Sequence, residues 1–174
     1  MVKVISIILL IILVGCSSVK NSSKNSYWQS WKQVVELNMN HEKPILIDIY
    51  TDWCVYCKVM DNTVYKNDSV IQYLKKHFYT YKLNAEKNDS VFWKNTFYQF
   101  NDRYRVHDFA VFLTKGNIAY PSTVVLNNDG TSFFEVGALK LKEMEFFLRY
   151  FVEAYPYNIS KEDFTKKFKP RWKK

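Results

Sequence analysis

Glycine and proline are scarce in this chain of 174 residues, four of each, and the scarcity excludes whole classes of chemistry. With so few glycines there is no Gly-rich turn to bring backbone amides around a phosphate, so a nucleotide-binding loop is not expected. Three cysteines are too few for a miniature domain stapled by disulfides, and the fold must stand on its hydrophobic core. The three histidines, His41, His77 and His107, share no local ligand spacing, whereas a zinc site wants about four ligands. No metal and no other cofactor is expected, and each histidine reads as a surface or capping residue. Acidic residues are in deficit as well, 17 against 25 basic ones, for a formal net charge of +8.

What the chain does have is apolar and aromatic content, 48% and 18%, enough at this length for one packed domain. Lys3, the apolar run Val4 to Val14 and Gly15-Cys16 have the layout of a secretory signal, and the run is too short to span a bilayer. Leu13-Val14-Gly15-Cys16 also resembles a bacterial lipobox, which implies a diacylglycerol on the Cys16 thiol and cleavage just before it. The alternative is a plain signal peptide or an uncleaved anchor, with Cys16 incidental. Removal of residues 1–15 takes Lys3 away and lowers the net charge by one, to +7. Residues 16–26 are almost wholly Ser, Asn and Lys and form a lipidated flexible tether. The protein is therefore expected outside the cytoplasm, held to a membrane on the periplasmic or cell-surface face, where nucleic acid is not a partner.

Trp28, Trp31, Val34, Val35 and Leu37 recur at helical spacing and stop before Pro44. Ile45 to Tyr50 is a short β-branched run, the pattern of a strand buried on both faces in the middle of a sheet. A helix is expected from Val55 to Tyr65, another from Ser69 to His77 capped by Asp68, and a strand from Phe78 to Leu83. Helical pieces are read at Phe92 to Phe100 and Asp108 to Leu113. Tyr120 to Leu126, the turn Asn127-Asn128-Asp129-Gly130 and Thr131 to Val136 make a hairpin, followed by a helix from about Leu139 to Ala154.

The chemistry sits in Cys54-Val55-Tyr56-Cys57, directly after the buried strand and at the start of a helix. A pair separated by two residues constrains the unfolded chain little, so stapling is a poor reason to keep it and redox exchange a better one. The helix N-terminus favours a thiolate at Cys54. Cys57, one turn into the helix and more shielded, can then attack a mixed disulfide formed on Cys54.

Four further motifs stand in a consistent order: Ile47-Asp48-Ile49-Tyr50-Thr51-Asp52-Trp53-Cys54, Lys82-Leu83-Asn84, Tyr120-Pro121-Ser122-Thr123 and Val136-Gly137-Ala138-Leu139. Together they resemble the thioredoxin superfamily over about residues 30 to 154. The resemblance implies an α/β thioredoxin fold, a central mixed β-sheet flanked by helices on both faces, here over residues 27–155. Through Asp52-Trp53-Cys54-Val55-Tyr56-Cys57-Lys58 the chain looks most like the C-terminal domain of the thiol:disulfide interchange protein DsbD and related thioredoxin-like lipoproteins.

That likeness implies site roles. Asp48 is a buried acid able to take the proton from Cys57, and Asp61 tunes the site. Pro121 is a cis-proline that presents the Tyr120 backbone to an extended substrate, and Trp53 shields the pair or merely packs. One departure is the long stretch between Tyr104-Arg105-Val106 and Pro121, read as an insertion at about 107–119 that either defines a partner or is an inert surface helix. Residues 156–174 form a basic tail, Lys166, Lys167, Lys169, Arg171, Lys173 and Lys174 interleaved with Phe164, Phe168 and Trp172. It is expected to be solvated or to lie on anionic headgroups. The expected function is thiol:disulfide exchange on extracytoplasmic protein substrates, as a monomer. The reducing direction and a DsbD-like membrane thiol donor are implied by the resemblance alone. The alternatives are a partner-binding lipoprotein without turnover and a copper-handling thioredoxin fold, for which no histidine can be assigned.

Overall fold

The computed structural model describes residues 26–173; the signal, Cys16 and nearly all of the tether lie outside the described residues. Its centre is a four-stranded sheet in the order β2-β1-β6-β7, built from β1 (Ile45–Tyr50), β2 (Tyr79–Asn84), β6 (Ser122–Leu126) and β7 (Ser132–Val136). β1 runs parallel to β2 and antiparallel to β6, and β6 and β7 form the hairpin. The apolar run of β1 thus lies inside the sheet, as its lack of polar alternation requires.

Because side chains alternate across the sheet, β1 feeds two cores. Ile45, Ile47 and Ile49 point to one face, packed under α1 (Trp31–Asn40) and α4 (Asp108–Leu113). Leu46 points to the other, under α2 (Val55–Thr63), α3 (Asp68–His77) and α5 (Leu141–Glu153). Helices on both faces of a mixed sheet are the thioredoxin-like architecture.

Helix α1 starts three residues later than its periodicity suggests. Ser30 caps it in a reciprocal box with Gln33, and the residues before the cap are extended instead. The Gln29 N–H donates to the Thr80 carbonyl at 2.9 Å, and Gln29 Oε1 accepts the Thr80 N–H at 2.9 Å. Tyr27 to Gln29 therefore cover the open edge of β2, an edge that would otherwise offer unpaired backbone groups. The α3 cap is Asn67, whose side chain accepts from Ser69 and Val70; Asp68 is the first helical residue, an acid in the first turn as the dipole favours.

The helix expected at Phe92 to Phe100 is a hairpin, β3 (Ser90–Trp93) and β4 (Thr96–Asn101), extended by β5 (Val106–His107) into a second, three-stranded sheet. Val91 and Trp93 are buried and Phe92 is exposed, a period of two rather than 3.6. The turn residues Lys94 and Asn95 both have positive φ, 45° and 63°, as a tight hairpin requires. Trp31 ties this hairpin to the body: its indole N–H donates to the Phe92 carbonyl at 3.0 Å and its ring packs on Tyr81, Trp93 and Phe109.

The stretch 107–119, read as an insertion, carries α4, and Phe109, Ala110 and Leu113 are fully buried in the core. The chain segment that stands outside the four-stranded sheet is instead the hairpin before it. His107 caps α4, its Nδ1 accepting the Phe109 N–H at 3.0 Å, and it is buried rather than at the surface.

The described part of the C-terminal segment, residues 156–173, is not a solvated tail. A 3₁₀ turn (Tyr155–Tyr157) leads to α6 (Lys161–Lys167), whose Phe164 is buried, and Trp172 packs on Tyr73 at 5.3 Å. The buried carboxylate of Glu145 accepts the Arg171 N–H at 2.7 Å and the Trp172 N–H at 3.1 Å, while Arg149 pairs with Glu145 and donates to the Lys169 carbonyl. The Glu145 carboxylate holds the backbone of this C-terminal strap on α5, and the aromatic residues that interleave the lysines, Phe164 and Phe168 on Phe146 and Trp172 on Tyr73, pack it in place.

Candidate active site

Strand β1 ends at Tyr50, and a turn through Thr51, Asp52 and Trp53 delivers the chain to α2. The Cys54 N–H donates to the Thr51 carbonyl at 3.2 Å, which sets Cys54 as the N-cap of the helix. Its sulfur accepts the Cys57 N–H at 3.1 Å, and Cys54 and Cys57 are joined by a disulfide. A helix N-terminus presents unsatisfied amides and partial positive charge, so a thiolate released at Cys54 on reduction would be held in a stabilising field.

The two cysteines are equally covered, each 4% exposed, so burial does not single out Cys57 as the shielded one; position along α2 distinguishes them. Around them the surface is apolar and open, with Trp53 63% exposed and Val55 and Tyr56 also exposed. Trp53 is therefore a platform beside the disulfide rather than a lid over it. Its indole N–H donates to Glu86 at 2.9 Å and its ring meets Tyr120 edge-on at 5.9 Å.

The Tyr120–Pro121 bond is cis. Ile49 pairs with Ser122 across β1 and β6, so Pro121 stands one step further, beside the end of β1 that leads into the cysteine turn. The Pro121 carbonyl accepts the Gly137 N–H at 2.8 Å, while among the described residues no backbone hydrogen bond engages Tyr120. Trp53, Tyr120 and Pro121 thus gather at one rim. Beside it a groove of about 680 Å³ runs between α2 and the start of α5, lined by Tyr56, Val59, Met60, Leu139 and Leu141.

Asp48 is buried, and burial pushes its carboxyl up to about 6 against the pull of Lys82. The Lys82 ammonium lies 3.2 Å from Asp48 Oδ2 and is also paired with Asp61. Asp61 therefore reaches the buried acid through the lysine. Burial works against the charge on Lys82, but the two carboxylates outweigh it and hold its ammonium above the usual lysine range. The lysine also sits over the Tyr50 ring at 4.8 Å and the Trp28 ring at 5.5 Å, cation–π contacts that favour it in partial burial.

Sequence reading counted Lys82 only as part of a strand. The available signal was a lone charge inside the apolar strand Tyr79–Asn84, at the position that pairs with Asp48 across the parallel ladder. Tyr65 was likewise read as the end of a helix. It is buried, its carbonyl accepts the Tyr27 hydroxyl at 2.8 Å, and its own hydroxyl comes close to Asp48.

A disulfide across a helix N-terminus, with a buried acid in the strand that leads to it and a cis-proline beside the end of that strand, is the arrangement of a thiol–disulfide oxidoreductase. The comparisons place the scaffold. A thioredoxin from Thermus thermophilus superposes with a TM-score of 0.53 at 14% identity, covering 72% of this chain and 86% of that one. A thioredoxin-fold protein from Helicobacter pylori gives 0.51 at 18%, covering 72% and 79%. The oxidised C-terminal domain of DsbD from Neisseria meningitidis gives 0.48 at 18%, covering 70% and 90%. No curated protein matches. The family model of the thioredoxin-like domain matches residues 31–152, and with most of its length inside that match the chain belongs to the thioredoxin-like domain family.

Proposed function

We propose that the protein reduces disulfides in extracytoplasmic protein substrates. The observation that carries the reading is the Cys54–Cys57 disulfide at the N-terminus of α2 with the buried Asp48 in the strand beneath it. In the dithiol form the Cys54 thiolate attacks a substrate disulfide, forms a mixed disulfide and expels one substrate thiolate. Cys57 then gives its proton to the Asp48 carboxylate and its thiolate attacks the Cys54 sulfur. The Cys54–Cys57 disulfide closes and the second substrate thiolate leaves. Two electrons pass to the substrate, and an external dithiol must restore the pair. The unengaged Tyr120 backbone supports pairing with an extended substrate chain at the rim.

The reducing direction and a DsbD-like membrane dithiol as donor rest on the resemblance to DsbD alone, and attachment through a lipid on Cys16 rests on the lipobox-like Leu13-Val14-Gly15-Cys16. The attachment is checked by incorporation of labelled fatty acid, which Cys16→Ala should abolish.

Replacing Cys54 by Ser tests the exchange reading. Reduction of insulin with dithiothreitol as the electron source should fall to the uncatalysed rate. A second reading, a partner-binding lipoprotein without turnover, is favoured by the exposed Trp53-Val55-Tyr56 platform and its groove. A wild type that reduces insulin no faster than the Ser variant would leave that one standing.

A further inference from the structure

Asp48 uses only one of its oxygens in a direct contact. Oδ2 faces Lys82, whereas Oδ1 is fully buried and without a direct hydrogen-bond partner. A carboxylate oxygen in that position is costly unless a donor serves it. Two hydroxyls share its situation, Tyr65 Oη and Thr123 Oγ1, both buried and both without a direct partner. Thr123 is the residue opposite Asp48 in the β1–β6 ladder, so the two side chains leave the sheet on the same face. Tyr65 comes to that face from the end of α2 and belongs to the same core as Met60 and Val64.

We propose that the Tyr65 hydroxyl is the donor that serves the second oxygen of Asp48, with Thr123 completing the cluster. Tyr65 is then a positioning residue that sets when Asp48 can accept the proton of Cys57. The inference rests on the exchange reading above, and it adds to that reading a residue that touches neither substrate nor sulfur.

The surroundings fit this role. The charged and titratable groups around Asp48 are Lys82 from β2, Tyr50 from β1, Asp61 and Tyr65 from α2 and its end, and Tyr27 from the extended segment along β2. A recess of about 560 Å³ lined by Trp28, Lys58, Asp61, Tyr65 and Lys82 opens beside them to solvent. Protons can thus pass between water and the buried acid past the Lys82–Asp61 pair without crossing the disulfide face. Burial holds the Tyr65 phenol well above the ordinary tyrosine range, with the charge on Asp48 pushing the same way, so it acts as a donor and not as a second base.

The test is a carboxyl-carbon NMR titration of Asp48 in the full chain, oxidised, paired with single-turnover reduction of insulin by the prereduced chain from pH 5 to 9. Wild-type Asp48 should titrate near about 6. Tyr65→Phe removes the donor while keeping the ring, and should raise that midpoint by about one pH unit and carry the inflection of the rate profile with it. Thr123→Val should move both the same way by less, and it provides the reading if the Phe variant does not fold. Asp48→Asn, which removes the titration, identifies the signal. Midpoints unmoved in Tyr65→Phe and Thr123→Val, or a moved midpoint with an unmoved rate profile, would overturn the inference. A wild type that does not reduce insulin would instead sink the exchange reading and leave the titration intact.

Discussion

At the scale of single residues the site is governed by one conflict, a carboxylate placed where a hydrophobic side chain would pack better. Burial raises the Asp48 acid to about 6 from an ordinary 3.8. Its contribution to stability is fully present only well below 3.8, where the group is neutral in both the folded and unfolded chain, and is lost as pH rises from there through about 6. Asp48→Asn should therefore leave stability nearly unchanged at about pH 3 and raise it at about pH 8. The gain is on the order of 1–3 kcal/mol, reduced by the loss of the Lys82 ion pair. Denaturant unfolding at the two pH values checks this, and equal gains at both would contradict the assignment of Asp48 as the strained acid.

At the scale of elements, the C-terminal strap is held less by α6 itself than by one buried carboxylate. Glu145 receives two backbone N–H groups and the Arg149 guanidinium, so Glu145→Ala leaves Arg149 partly unpaired and frees two donors. Such a loss should cost roughly 2–4 kcal/mol. It should also make residues 161–173 sensitive to limited proteolysis while the rest of the domain stays resistant. Uniform sensitivity, or none, would show that the strap is held elsewhere.

The elements also show what sequence can reveal. β1, α2, α3 and the β6–β7 hairpin were legible because each shows a single period and a recognisable boundary: the Ile45–Tyr50 run, the cysteines after it, and Asn127 to Gly130 in the turn. The β3–β4 hairpin was not, because Phe92, Trp93, Phe97 and Phe100 satisfy helical spacing as readily as alternation, and the deciding feature, positive φ at Lys94 and Asn95, is visible only in the backbone. The strap was missed because lysines dominate its composition while Phe164 and Trp172 decide its packing. In the site, the sulfurs could be read from their spacing and the buried acid from the family resemblance. Lys82 and Tyr65 could not, since their importance comes from neighbours 34 and 17 residues from Asp48 in sequence that the sheet and α2 bring together.

At the scale of the whole molecule, the sheet separates two functions of burial. The α1–α4 face with its hairpin is a largely apolar core anchored by Trp31, with His107 buried at the start of α4, and the opposite face mixes an apolar core with the Asp48–Lys82–Asp61 group. Among the described residues, large apolar side chains stand open beside the disulfide at the rim of Trp53 and Tyr56, close to Tyr120 and Pro121. On the proposed reading, that rim is where electrons pass to or from another protein.

The central claim is that Cys54 and Cys57 form a reversible redox pair, and it is tested most directly by equilibrium redox titration. The protein is equilibrated in dithiothreitol or glutathione buffers and the free thiols at the two positions are trapped and counted by mass. The account predicts a single two-electron transition in which both thiols appear together, at a midpoint between about −270 and −120 mV, with the thioredoxin end expected for a reductase. A pair that stays oxidised or stays reduced across that whole range would contradict it.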